Sequence, residues 1–514
     1  MAEKSFKVSV KKSYWGSAIF ILLLSIGFFI FFKNFLPDKL FPEKIKVDQE
    51  HRAVDEWMQS AMEEPQDSIV EEEIVDKSET DIQKDTLSTE AVSIEEGQSK
   101  LVEADSLRSQ NTDFLNLFYE ALFQLEQNPE SAKVRIAYFG DSMTDGDLIV
   151  QDIRRKYQEK YGGRGVGFVP VVSESANSRA SITHRFSNNW KTFTFMKKYE
   201  NPPPFGISGT VFYAEDSLQP SQLRFGAGVN ATNHLLPNPV LFYGISSNDS
   251  AEVEMITIKD TLHYQLQPVK KLNKLKLSSA TLSKMELNFK RADSIPVYGV
   301  NFDNDFGVQI DNFSNRGNSG LPLTQLDADL MKAFQQELQY NLIVLQFGTN
   351  VLNSDSFKYG WYQARMKRVV SYLRKIFPEA AILVVSIADK ATKYDTEMQT
   401  DSAVNYLLSA QKAYAKEEKT GFVNLFSLMG GEGSMIKWVE EEPQKANKDY
   451  THFNHIGARK IAEMIFKELE SGFEEFKIQK EKSEKKAQKE REQILKLLDE
   501  IEIQKPDSSD VEIP

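Results

Sequence analysis

The sequence predicts an α/β fold, a parallel sheet with helices on both faces, interrupted by a separate β-rich segment and preceded by one membrane-spanning helix. Three observations predict it. Short apolar runs alternate with amphipathic helical stretches from residue 113 to about residue 470, a long segment between them alternates residue by residue, and an uncharged apolar run lies near the N-terminus.

Tyr14 to Phe32 is that apolar run. At about 19 residues it is long enough to cross a hydrocarbon core. Lys4, Lys7, Lys11 and Lys12 precede it, and the bulky Lys33-Asn34-Phe35-Leu36-Pro37 follows, with no small-residue cleavage pattern. An uncleaved anchor over 14–36 is therefore expected rather than a removed signal peptide. A short basic tail, 1–13, would stay cytoplasmic and the body would be exported, to the periplasm or the cell exterior. Lysines at 33, 39, 44 and 46 nearly balance the positive-inside count. Residues 37–105 are rich in Glu, Asp, Ser, Gln and Thr, with Glu71-Glu72-Glu73 and few aromatics. Such a segment buries too little apolar surface to offset its ordering entropy and reads as a flexible acidic stalk.

Phe114, Leu117, Phe118, Ala121, Leu122 and Leu125 recur at helical spacing. Val134–Phe139 then reads as a buried strand, followed by a helix with Ile149, Ile153 and Tyr157 on one face. After the interruption, Val308–Phe313, Leu342–Phe347, Ala381–Ile387 and Phe422–Leu425 read as strands. Leu326–Tyr340 and Trp361–Ile376 read as helices between them, and Ile456–Leu469 as a closing helix. This assigns 106–170 and 305–470 to one α/β domain, whose ligands should bind at the carboxyl ends of its strands. Residues 171–304 differ. Val253 to Ile258, Leu262 to Leu266 and Met285 to Phe289 alternate apolar and polar side chains between turn residues, the pattern of an inserted antiparallel sandwich. Its Trp190, Phe193, Phe195, Phe212 and Tyr213 are either core packing or surfaces for sugar rings. Residues 471–514 are highly charged without sustained heptads, a charged tail, helical or disordered.

The chain carries a net charge of −13 and no cysteine. The charge argues against a nucleic-acid partner, and the missing cysteine removes disulfides and thiolate metal sites. His452 and His455 form a His-x-x-His pair, but no third ligand and no His-Glu-x-x-His accompany it, so no metal and no cofactor is expected. The glycines from 162 to 167 lack the Lys-Ser/Thr of a phosphate-binding loop and read as a turn.

The chemistry concentrates elsewhere. Gly140-Asp141-Ser142 ends the first predicted strand, and Asp449-Tyr450-Thr451-His452 places a carboxylate three residues before an imidazole. A serine hydroxyl is a weak nucleophile until a base takes its proton. His452 is the natural base, and Asp449 would hold its other ring N–H and stabilise the imidazolium. Asp141 reads as a loop organiser, and Asp147 has no assignment. The tetrahedral intermediate then needs donors, and the Ser142 N–H, the Gly320 N–H and the Asn350 amide are the candidates for this oxyanion hole.

Four blocks, Gly140-Asp141-Ser142, Gly317-Asn318-Ser319-Gly320, Gly348-Thr349-Asn350 and Asp449-Tyr450-Thr451-His452, resemble those of the SGNH (GDSL) hydrolase family. The resemblance implies a flavodoxin-like three-layer α/β/α core and carboxyl-ester hydrolysis by Ser142, His452 and Asp449, with Gly320 and Asn350 in the oxyanion hole. Gly162 to Phe168, Val297 to Val300, Asn315-Arg316-Gly317 and Gly430 to Met435 are similar to the peptidoglycan O-acetylesterases of that family, which carry an inserted β-rich module. Ser319 stands where that subgroup is expected to have Asn, and Val351 where it is expected to have an acidic residue. The resemblance implies an acetylated polysaccharide, peptidoglycan foremost, as partner. It leaves two other readings. One is an O-acetyltransferase with the same site and a membrane acyl-donor partner; the other is a wall-binding protein without turnover.

Overall fold

The computed structural model describes residues 112–503 except 216–218, 229–234 and 354–356. The expected anchor at 14–36 and the acidic stalk at 37–105 lie outside the described residues. Among the described residues no helix is long and apolar enough to cross a membrane.

Five parallel strands form the central sheet: β1 (Lys133–Gly140), β13 (Gly307–Ser314), β14 (Leu342–Gln346), β15 (Ala381–Val385) and β18 (Gly421–Val423), in the order β13-β1-β14-β15-β18. Counted within this sheet alone, the order is 2-1-3-4-5, that of flavodoxin-like folds. Both faces are covered, which is why the strands read as continuous apolar runs. Ala137, Phe139, Ile343, Leu345, Ile382 and Val384 face α3 (Ala328–Leu338), α4 (Gly360–Ile376) and α5 (Val404–Glu417). Val134, Ile136, Tyr138, Leu342, Val344 and Leu383 face α1 (Asn116–Gln127), α2 (Val150–Tyr161) and α8 (His455–Ile503).

Between β1 and β13, the chain builds two antiparallel sheets. One pairs β10 (Asn273–Lys276), β7 (Val240–Tyr243), β12 (Val297–Phe302), β5 (Thr210–Ala214) and β4 (Trp190–Thr194), with β2 (Gly167–Pro170) also on β12. The other pairs β3 (Ile182–Phe186), β6 (Ser221–Ala227), β11 (Lys284–Lys290), β8 (Glu252–Ile256) and β9 (Thr261–Gln265). Leu223, Val253, Leu287, Leu241, Val297 and Val300 fill the space between them. Gly167–Pro170, which the sequence assigns to the α/β domain, is thus a strand of the insert.

The insert is welded to the core in two places. Phe334 of α3 enters a ring cluster with Phe168, Phe242 and Tyr298, at centroid separations of 6.3, 5.9 and 5.5 Å. Beside it, the buried Arg135 of β1 donates to Asp311 of β13 (Nε to Oδ2 2.7 Å, Nη2 to Oδ1 2.9 Å) and to Asn301 (2.5 Å), and pairs with Asp303. Tyr340 and the Phe168 N–H also donate to Asp311. Burial opposes the guanidinium charge, but Asp311 and Asp303 more than offset this and hold the proton in place. Of the insert aromatics, Trp190, Phe195 and Phe212 are buried core, while Phe193 and Tyr213 are half-buried against it and meet each other edge to face.

The closing helix does not stop near residue 469. α8 continues through the charged stretch to Ile503, a single helix of 49 residues. No proline interrupts it, and Gly472 lets it approach the Tyr119 hydroxyl, which an added Cβ would meet at 2.2 Å. Phe473 still packs on Tyr119, and Lys480 still reaches Glu120 at 2.7 Å; beyond that the side chains up to 498 are exposed.

Candidate active site

Strand β1 delivers the serine. Gly140 has no room for a side chain, because a Cβ there would lie 2.2 Å from Thr144 Oγ1. The chain then turns, with the Met143 N–H donating to Asp141 Oδ1 (2.9 Å) and the Asn312 amide of β13 donating to the Thr144 carbonyl (2.7 Å). Asp141 is therefore the loop organiser that the sequence suggested. Ser142 Oγ lies 2.9 Å from His452 Nε2, and His452 Nδ1 lies 2.8 Å from Asp449 Oδ2. Both ring nitrogens are thus engaged, Nε2 with the serine and Nδ1 with the carboxylate.

The acid–base loop is tied to itself. Asp449 Oδ1 accepts the backbone N–H of both Thr451 and His452 at 3.0 Å, and the Asn447 N–H donates to the His452 carbonyl at 2.8 Å. Burial would raise the Asp449 carboxyl. The bonds from the His452 ring and from the two backbone groups outweigh that and hold it at about 2. It stays ionised across the physiological range and able to stabilise an imidazolium. The Ala391 N–H, after β15, donates to the Tyr450 carbonyl at 3.0 Å and anchors the loop to the sheet. Asp389 in turn accepts from Ser434 Oγ (3.2 Å) and the Met435 N–H (2.8 Å), which gives the Gly430-to-Met435 motif a structural duty.

Gly320 and Asn350 meet around a residue to which the sequence assigned no role. Asn350 Nδ2 donates to Asp141 Oδ2 (3.3 Å) and to the Asn318 carbonyl (3.2 Å). The Gly320 N–H donates to Asn318 Oδ1 at 2.8 Å, so in this state it points at that amide and not at an open position. Gly320 has φ +92°, and a Cβ would meet Phe347 at 2.8 Å. Among the described residues the Ser142 N–H has no acceptor. Asn318 is the missing piece; its only sequence signal is its place inside the glycine block.

Asp141 is fully buried, and burial is the main reason its carboxyl is raised to about 6, against the opposing pull of the Met143 N–H and of His452. A carboxyl that ionises less readily folded than unfolded binds its proton longer in the native state. Stability from this group is therefore greatest below about pH 4 and falls as pH rises to about 6, by about 3 kcal/mol in all. Asp141→Asn is expected to remove this slope, read as the pH dependence of the urea midpoint.

Beyond the nucleophile, the expected turn straight into a helix is replaced by a strained segment. Gly146, Asp147 and Ile149 have φ of 66°, 66° and 64°, the last a β-branched residue that rarely tolerates it. A buried clamp holds them. Asp147 accepts from Arg154 (2.8 and 3.1 Å), from Arg179 (3.3 Å) and from Ser181 Oγ (2.5 Å), while Ser175 Oγ accepts the Gly146 N–H at 3.1 Å. Burial would raise Asp147, but the two guanidiniums hold it at about 2. Arg179, Ser181 and Ser175 belong to the insert, so the β-rich segment supports the loop that carries the serine. The partners of Asp147 lie up to 34 positions away, which no local pattern reports.

No family model matches the chain, and no curated protein matches it in sequence. Among solved structures, a family two carbohydrate esterase from Cellvibrio japonicus is 9% identical, with a TM-score of 0.22 over 57% of this chain and 98% of its own. An acetylxylan esterase from Geobacillus stearothermophilus is 14% identical, with a TM-score of 0.24 over 32% and 73%. A peptidoglycan O-acetylesterase is 20% identical, covers 70% of this chain and 96% of its own, and superposes with a TM-score of 0.57. That likeness shows that this chain has the fold of that protein.

Proposed function

We propose that this chain is a serine esterase of the SGNH type that removes O-acetyl groups from cell-wall polysaccharide, with peptidoglycan as the substrate. The observation that carries the reading is the unbroken chain of hydrogen bonds from Ser142 Oγ through His452 to Asp449, at 2.9 and 2.8 Å. A nucleophile and a base within such reach, with the base oriented by an acid, are the parts of nucleophilic acyl transfer. Ser142 attacks the acetyl carbonyl while His452 Nε2 takes its proton, and the Asp449 carboxylate stabilises the imidazolium. His452 then protonates the departing sugar oxygen, leaving an acetyl-enzyme. Water, deprotonated by His452, releases acetate and restores the serine.

Oxyanion stabilisation falls to the Ser142 N–H, joined by the Asn350 amide once it releases Asp141 or the Asn318 carbonyl and by the Gly320 N–H once Asn318 Oδ1 gives it up. Asn350→Ala is expected to lower kcat for a small acetyl ester by about 10²- to 10³-fold, checked by steady-state kinetics. The His452 and Asp449 side chains are 37% and 49% exposed, an openness that suits an acetyl group on a large polymer. Fold likeness to a peptidoglycan O-acetylesterase supports the substrate. The apolar run from Tyr14 to Phe32 supports tethering at a membrane with the catalytic domain exported, close to the wall.

The test is acetate release from O-acetylated peptidoglycan, with labelled acetyl followed into both free acetate and added sugar acceptor. Acetate as the main product supports the esterase. Label that accumulates on the acceptor instead would replace it with the transferase that uses a membrane acyl donor, and label in neither, with tight glycan binding, with the wall-binding reading.

A further inference from the structure

Three aromatic side chains among the described residues are exposed: Phe306, Phe357 and Tyr406. Phe306 precedes β13, at the end of the sheet away from the serine. The other two touch each other, with ring centroids 4.8 Å apart and planes inclined at 33°, and are 46% and 52% exposed. Leaving two large rings in water is unfavourable, and adjacent exposed apolar groups mark surfaces that bind something.

Their supports tie them to the proposed site. Phe357 sits on the segment that leaves β14 and carries Asn350. That segment turns at once, with the Val351 and Leu352 N–H groups donating to the Gly348 carbonyl at 2.9 and 3.2 Å. It is then braced by the buried Tyr359, whose hydroxyl accepts the Asn353 N–H at 3.1 Å. Tyr406 lies in the first turn of α5, which begins at the carboxyl end of the sheet. Gln411 locks that helix in place, accepting the Ile387 N–H at 2.8 Å and donating to the Phe347 carbonyl at 2.7 Å. Asn405, next to Tyr406, donates to Glu432 at 2.8 Å, so polar groups rim the ring pair. Tyr406 is thus held at the carboxyl end of the sheet by an anchored helix, and Phe357, two positions before the buried Tyr359, meets it there.

We propose that Phe357 and Tyr406 form a stacking platform for the glycan strand that flanks the acetylated sugar. The proposal rests on the reading of the site as a polysaccharide esterase and adds where the polymer is gripped. A pyranose presents an apolar C–H face bordered by hydroxyls, which matches two tilted rings with polar groups at their edge. A small acetyl ester carries no flanking sugar to lay on the rings, so only the polymer gains from them.

The experiment uses the full chain and compares kcat/KM for O-acetylated peptidoglycan with kcat/KM for a small activated acetyl ester. In Phe357→Ala, Tyr406→Ala and Phe357→Leu, the ratio of polymer to small ester is expected to fall about three- to tenfold, through KM. Phe357→Leu separates a stacking face from mere bulk, and Tyr406→Ala reports from a second element if Phe357→Ala unsettles its loop. In parallel, Ser142→Ala alone and combined with Phe357→Ala or Tyr406→Ala is tested for binding to O-acetylated glycan fragments of several disaccharides. Weaker binding in the combined variants supports the platform. An unchanged ratio together with unchanged fragment binding overturns it. If the wild-type chain cleaves neither ester, the esterase reading fails, and the binding arm still decides whether the rings hold glycan.

Discussion

Ser142→Ala is expected to lower kcat for an acetyl ester by about 10⁵- to 10⁶-fold, the loss typical when the nucleophile of such a triad is removed. The size follows from the geometry. His452 sits 2.9 Å from Ser142 Oγ and is held by a carboxylate that is ionised down to about pH 2, so the base, the nucleophile and the orienting acid act as one unit. Groups that act as a unit are not additive: Ser142→Ala combined with His452→Ala is expected to be barely worse than either alone. The substitution deletes one half-buried hydroxyl and leaves the turn bonds from Asp141 and Asn312 intact, so the unfolding midpoint should stay within about 0.5 kcal/mol of wild type. Steady-state kinetics beside a urea titration separates these two effects.

Arg135→Met is expected to destabilise the fold by about 3–5 kcal/mol. Its guanidinium is almost wholly buried between Asp311 and Asp303, and it is the group that bonds both carboxylates inside the protein. For Asp303, burial pushes the carboxyl up, and Arg135 with Lys133 brings it below its ordinary value. Removing the arginine leaves Asp303 with only the partly exposed Lys133 and Asp311 with only the neutral donors Tyr340 and the Phe168 N–H. Arg135→Lys is expected to recover little, since an ammonium cannot bond Asp311 through two nitrogens while also reaching Asn301 and Asp303. Because these partners span β1, β13 and the end of β12, the loss should loosen the insert from the α/β core. Faster proteolysis between residues 167 and 302 at urea concentrations below the global midpoint is the accompanying sign.

The parts of this molecule that the sequence discloses are those whose signal is local. Val134–Phe139 is apolar on both faces because helices cover both faces, and a strand of that kind announces itself. The serine turn, the glycine block, the Gly-x-Asn segment and the Asp-x-x-His loop each follow a strand or precede a helix, so their common location could be inferred before their geometry was known. What stays hidden depends on distant partners. Arg135 and Asp311 are 176 positions apart, and an arginine inside an apolar strand looks like an interruption until its carboxylates are seen. Helix α5 is hidden in the sequence because Gln411 occupies a fully buried position on its core-facing stripe and breaks the apolar period. The hairpin Ala391–Tyr394 with Glu397–Thr400 is short and half-exposed, and offers no apolar run.

The insert teaches the same lesson from the other side. Its alternating strands were legible, but its attachment was not, since Phe334 looks like any other residue on the face of an amphipathic helix. The clamp on Asp147 is more telling still. Reading forward from Ser142, the chain looks ready to enter a helix, and only the positive φ at Asp147 and Ile149 reveals that an external grip is needed there. Rings that looked available for sugar, such as Trp190 and Phe212, are core because both sheets of the insert need filling. The exposed pair, Phe357 and Tyr406, comes instead from two segments of the α/β core that are 49 positions apart in the chain and meet at one end of the sheet.

The most direct measurement of the central claim is to trap the covalent intermediate. The full chain is mixed with an activated acetyl ester, quenched in acid within the first turnover, digested and analysed by mass spectrometry. One acetyl group is expected on the peptide that carries Ser142, appearing as a burst and decaying at the rate of acetate release, and absent from Ser142→Ala. Ester turnover that proceeds with no acetyl on Ser142, or that survives Ser142→Ala, would contradict it.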